Sequence, residues 1–122
     1  MALAIVLMPS CKKDTTVDMR TAVSAVTTTV SFSKDIVPIL SSNCALSGCH
    51  AVGGRMPTLD ANDAFNSLSQ GGFISVASPS SSLVYLWLTG KESATMPLGG
   101  TPNPSNLNNL MLGWIQQGAN NN

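Results

Sequence analysis

Charge is scarce in this chain: 122 residues carry six basic and six acidic side chains, and the formal net charge is zero. A phosphate-binding surface needs a basic excess, so the composition offers no case for a nucleic-acid partner. Long apolar runs are missing too. The run Ala2 to Met8 is seven residues, far short of the ~20 that a membrane-crossing helix requires. There are six aromatic residues and a single histidine, His50, which excludes any site that needs two imidazoles. Against these shortages stand a hydrophobic content of 43% and six methionines, which argue against disorder over the second half. The length suits one domain with a small core, in which a bound cofactor would contribute heavily to the buried apolar surface.

The chemistry concentrates in Cys44-Ala-Leu-Ser-Gly-Cys49-His50, which brings two of the three cysteines and the only histidine within seven residues. A c-type haem needs two thiols to form thioethers with its vinyl groups and a histidine directly after the second to ligate iron. The usual attachment spacing has two residues between the cysteines; here there are four, so the loop must bulge to keep both sulfurs at the ring edge. Gly48 is placed to adopt the positive φ that such a bulge requires. Two other chemistries fit the same residues. The thiols can close a small disulfide in an oxidising compartment, leaving His50 incidental, or all three can ligate zinc with a fourth ligand from elsewhere.

The first eleven residues, MALAIVLMPSC, resemble the end of a bacterial lipoprotein signal, with residues 1–10 removed and Cys11 lipidated as the new amino terminus. No Lys or Arg precedes the apolar run, and the run is short; a start lying further upstream would account for both. The alternative is a stray buried or reactive thiol. Residues 12–31 are rich in Thr, Val, Ser and charge and show no sustained apolar period, so residues 11–31 read as a lipidated cysteine and a flexible tether. The part from Val23 to Val30 is β-branched enough to pair as an edge strand instead.

From residue 32 onward the pattern is helical. Ser33 is positioned to cap a helix carrying Ile36, Ile39 and Leu40 on one face, with Pro38 either kinking it or delaying its start, and Phe32 stapling beneath. The glycines and proline after His50 predict a loop. Arg55 in that loop has the planar donor fork to pair with a haem propionate, or else is simply solvated. Asp60 or Asn62 can cap a helix through Phe65 and Leu68, and Pro79 to Ser82 lead into another with Val84, Trp87 and Leu88 on a common face. Lys91 to Pro104 is irregular, with Met96 as its one soft ligand, and so long a loop in a compact domain usually has a job. Asn103 or Ser105 then caps a helix on which Leu107, Leu110, Met111, Trp114 and Ile115 form one stripe, ended by Gly118; Ala119 to Asn122 have nothing to anchor them.

A helix leading into a cysteine-cysteine-histidine loop, a middle helix, a methionine on a Pro/Gly-rich loop and an amphipathic last helix is the order of parts in class I cytochromes c. More narrowly, the chain resembles the planctomycete-type cytochrome c domain family, through Phe32-Ser-Lys-Asp-Ile-Val-Pro-Ile-Leu, the Cys44 to His50 motif, Pro79 to Tyr85, Met96-Pro-Leu-Gly-Gly and Trp114-Ile-Gln-Gln-Gly-Ala. The resemblance implies an all-α fold over 32–122, of three to five short helices and long loops around one covalent haem c. It implies Cys44 and Cys49 as attachment points, His50 as proximal ligand and Met96 as distal ligand. The implied function is electron transfer with unidentified redox partner proteins, by a carrier that is not an enzyme. In such families attachment takes place outside the bacterial inner membrane, which agrees with export and with a periplasmic or outer-surface protein anchored through Cys11. Met56 is excluded as distal ligand by reach: six residues from His50 span at most ~20 Å, less than the path around the macrocycle. The competing functions are a haem sensor or enzyme with a labile distal ligand, and a non-haem binding module stapled by a Cys44–Cys49 disulfide.

Overall fold

Pro38 determines where the first helix can begin. A proline lacks the backbone N–H that an interior helical position must donate, so it is tolerated in the first turn. In the computed structural model, which describes residues 26–93, 96–98, 103 and 106–122, α1 spans Val37–Asn43 with Pro38 in its first turn. A π-helical turn, Phe32–Ile36, precedes it. The cap of that turn is Ser31, not Ser33: the Ser31 hydroxyl accepts from Lys34 N at 3.2 Å while Asp35 Oδ2 accepts from Ser31 N at 2.8 Å. This is the reciprocal logic of a capping box, with the acid one residue later because the turn is wider. Phe32, Ile36 and Leu40 then fall four residues apart and are all buried.

Among the described residues three more α-helices follow, α2 Ala64–Gln70, α3 Leu83–Leu88 and α4 Leu107–Gln116, with a 3₁₀ turn, Pro79–Ser81, between α2 and α3. Among the described residues there is no strand, so the architecture is all-α, and no helix is long and apolar enough to cross a membrane. The stripe on α4 buries Leu107, Met111, Trp114 and Ile115 at 0–1% exposure, with Leu110 half-buried. Trp114 meets Phe32 at 4.6 Å and Phe65 at 6.3 Å between ring centroids, and Phe32 meets Phe65 at 5.7 Å. One aromatic trio thus joins the π-helical turn, α2 and α4; such pairs add to what burial alone contributes.

The expected caps are used differently. Asp60 stands ahead of α2, its Oδ1 accepting from Asn62 N at 2.9 Å and its carbonyl from Ala64 N at 3.0 Å, while Asp63 occupies the cap position without a side-chain bond. Ser82 begins α3, but its hydroxyl is buried and bridges back to Ser75, accepting from the N–H at 2.9 Å. Asn106 precedes α4 without capping it, and Asn103 bonds elsewhere. Short polar side chains satisfy whichever backbone group lies nearest, and here the nearest groups belong to other segments.

Both ends of the domain depart from expectation for one reason. Residues 26–31, assigned by composition to the tether, pack on α4: Val30 is 2% exposed, and Gly113 lets Val26 approach so closely that an added Cβ would lie 3.0 Å from it. Gln117 receives Val30 N at 2.8 Å and donates to Thr28 O at 3.0 Å. The last residues, expected to be free, hold the same segment: Asn122 accepts from Phe32 N at 2.9 Å and donates to Val30 O at 3.1 Å, and Asn120 O accepts from the Trp114 indole at 2.8 Å. Gly118, at φ +105°, turns the chain back after α4, with Ala119 N bonded to Trp114 O at 2.9 Å. The expectations for residues 1–10, Cys11 and the tether to residue 25 lie outside the described residues, as does the Ser105 cap.

Candidate cofactor site

The Cys44 to His50 loop is closed by the backbone. His50 N donates to Cys44 O at 3.1 Å, drawing the ends of the motif together, and Cys49 N donates to Leu46 O at 2.9 Å, so the four intervening residues form the bulge. Gly48 sits at φ +79° with open space around it, so conformation rather than crowding demands glycine there. Cys44 is half-buried, Cys49 is exposed, and both are free thiols. Burial, reinforced by the neighbouring Cys49, pushes the Cys44 thiol up, holding it in the protonated form.

A second loop orients the imidazole. Leu59 N donates to His50 O at 2.8 Å and Thr58 N to Ser67 Oγ on α2 at 2.7 Å, which fixes the Pro57 to Leu59 segment beside His50. His50 Nδ1 lies 2.8 Å from Pro57 O and 3.1 Å from Arg55 O. Carbonyl oxygens only accept, so Nδ1 carries a proton, and in the neutral tautomer this leaves the lone pair on Nε2. A metal-bound histidine characteristically donates its other N–H to such an acceptor, which fixes its tautomer and orientation.

Gly54 makes this second loop possible. A Cβ there would sit 2.5 Å from Cys49 O and 3.0 Å from Ala51 O, beside the 2.8 Å bond from Arg55 N to Cys49 O. Gly54→Ala is therefore expected to displace Arg55 and loosen His50, at a cost of roughly 1–3 kcal/mol. A lower thermal midpoint together with faster hydrogen exchange at the Arg55 and Leu59 amides would show it; a variant matching wild type in both would mean that the loop yields freely.

Both loops face a cavity of about 270 Å³ lined by two stretches of the chain, one from Leu40 to Leu59 and one from Val84 onward. Leu40 and Asn43 of α1, Cys44, Cys49, His50, Arg55, Pro57 and Leu59 line it together with Val84, Trp87 and Leu88 of α3 and with Met96, Pro97, Leu98 and Asn103. The volume is near the lower end of small-molecule sites, ~300–1,000 Å³, and the rim is open. Leu46 and Leu98 line it while remaining 49% and 63% exposed. The structure thus brings Cys44, Cys49, His50, Arg55 and Met96 to one apolar cleft. Met56 is 61% exposed and outside the lining, and Met111 is fully buried in the stripe of α4. Arg55 is exposed at the rim.

Trp87, Val84 and Leu88 were legible as a shared face of α3, and that face proves to be cavity wall. Asn103 was legible only as a cap, and the carbonyls of Pro57 and Arg55 have no side-chain signature. Among the described residues no group of three or more His, Cys, Asp and Glu side chains is gathered to hold a metal ion, so the three-ligand zinc arrangement is not assembled. A haem asks for a different donor set: one imidazole, one thioether, two thiols at the edge and apolar walls. The residues present fit that group.

No family model matches the chain, and no curated protein and no solved structure matches it either.

Proposed function

We propose that the protein is a monohaem c-type electron carrier with a small cytochrome c fold. The observation that carries this reading is the pair of carbonyl contacts at His50 Nδ1, 2.8 and 3.1 Å, in a cavity that also collects Cys44, Cys49 and Met96. A histidine held in one tautomer by backbone acceptors, with two thiols beside it, is prepared to ligate through Nε2. Cys44 and Cys49 would form the thioethers, His50 and Met96 would be the axial ligands, and Arg55 would meet a propionate at the rim. Bound haem supplies reversible one-electron exchange, and methionine ligation raises its reduction potential. The chain's own contribution is to fix the two ligands, to keep water from the apolar walls and to leave the rim open for a redox partner. With His50 and Met96 both holding the iron, no ligand position would remain for a substrate, hence a carrier rather than an enzyme. Export, and membrane attachment through lipidated Cys11, belong to the same reading.

The test is an absorption spectrum and an intact mass of protein made in a host that matures c-type haem. Expected are a low-spin c-type spectrum and a mass increased by one haem; a mass two hydrogens below the chain with no visible absorbance would give the site to a disulfide-stapled module instead.

A further inference from the structure

The bulge between Cys44 and Cys49 carries a leucine that has no place in the core. Of its four residues, Ala45 packs against the core, Ser47 lies outside the cavity lining and Gly48 has no side chain, whereas Leu46 lines the cavity at 49% exposure. A leucine half in water forgoes much of what burial would contribute. Leu46 is not among the residues packed on the core, so the apolar space it borders is the cavity itself. The backbone holds it there. Cys44 N and Ala45 N both donate to Leu40 O, at 2.8 and 2.9 Å, which fixes the entry to the bulge at the end of α1; Cys49 N donates to Leu46 O at 2.9 Å, which closes a turn directly behind it. Gly48, at φ +79°, allows that turn.

We infer that Leu46 shields the cofactor from water at the rim of the cavity and so holds its reduction potential up, the long bulge being the means by which the chain places it. This rests on the haem site proposed above. The physical reason is charge. Loss of an electron leaves one more positive charge in the site, and charge is costly to hold in apolar surroundings. An apolar side chain across the rim therefore favours the reduced form, and water admitted there favours the oxidised one. Val52 provides the comparison. It stands two residues after His50 and is apolar like Leu46, but it is 73% exposed and outside the cavity lining.

The test compares Leu46→Ala with Val52→Ala and wild type as haem-loaded proteins. Each is measured by redox titration and by the shift of the Soret band on adding ethylene glycol, which reports how far solvent reaches the chromophore. Expected for Leu46→Ala are a potential below that of wild type, read as a severalfold larger ratio of oxidised to reduced protein at a fixed applied potential, and a larger solvent shift. The ferric iron–methionine band and the thermal midpoint should stay as in wild type, since Leu46 lies outside the core. Val52→Ala should match wild type in every reading. A Leu46→Ala protein with the wild-type potential and solvent shift would overturn the shielding role and leave the electron carrier standing. An equal change in Val52→Ala would overturn it too, because the effect would then belong to the exposed loops in general. Wild-type chain that takes up no haem in a host that matures it would remove the site, and the shielding role with it.

Discussion

Replacing Met96 with alanine is expected to remove the red charge-transfer band of the ferric protein, to lower the reduction potential on the order of 100 mV, within the ~0.8 V that axial ligand choice commands, and to let carbon monoxide bind. Both thioethers should survive. The geometry singles out Met96 from its competitors. Its backbone is held by Trp87 O at 3.1 Å and its side chain is half-buried in the lining of the cavity that His50 also lines. Met56 is 61% exposed and outside the cavity lining, with Thr58 Oγ1 donating to its sulfur at 3.6 Å; Met56→Ala should leave the band and the potential unchanged. Met111 is at 0% exposure within the α4 stripe, so its loss would act on stability and not on ligation. Redox titration and carbon monoxide difference spectra on the two variants check this. A wild-type protein that binds carbon monoxide readily would move the reading toward a sensor or enzyme with a labile distal ligand.

The parts of the fold that were legible in sequence are those governed by periodicity. On α4 every apolar position of the pattern points the same way, so the order of residues alone defines the stripe, and Trp114 and Ile115 are indeed buried. Gly48 was legible because only a positive φ lets the Cys44 to His50 loop bulge, and it stands at +79°. Caps were poorly legible because Ser31, Ser82, Asn103 and Asp60 have several backbone groups in reach, and tertiary placement decides among them. The anchoring of both chain ends was hidden for a related reason. Gln117 and Asn122 look like solvated polar residues until the segment carrying Thr28 and Val30 is laid across α4. In the site, the donors announced themselves by type and spacing, whereas the backbone carbonyls that orient His50 did not.

Removing the attachment points should cost the domain its cooperative fold. Leu40, Leu59, Val84 and Leu88 belong to the hydrophobic core and also form walls of the cavity, so an unfilled cleft leaves core residues facing vacancy or water. At roughly 25 cal/mol per Å² of apolar surface covered, a flat apolar group seated against these walls would contribute several kcal/mol. A domain of this size is stable by only ~5–15 kcal/mol in total, so loss of the proposed haem would remove a large share of it. The loss will be uneven. Phe32, Phe65 and Trp114 do not line the cavity, and their cluster, with the clasp of Gln117 and Asn122 on residues 28–33, does not depend on what fills it. Cys44→Ala with Cys49→Ala is therefore expected to give a chain that keeps amide protection in α4 and the π-helical turn. Protection should be lost from Cys44 to Leu59 and around Met96, and thermal unfolding should become broad. Hydrogen exchange read segment by segment distinguishes this from global collapse. A sharp transition at the wild-type temperature, with the 44–59 amides still protected, would show that these walls close on themselves and that the cofactor is a guest of the fold rather than part of its core.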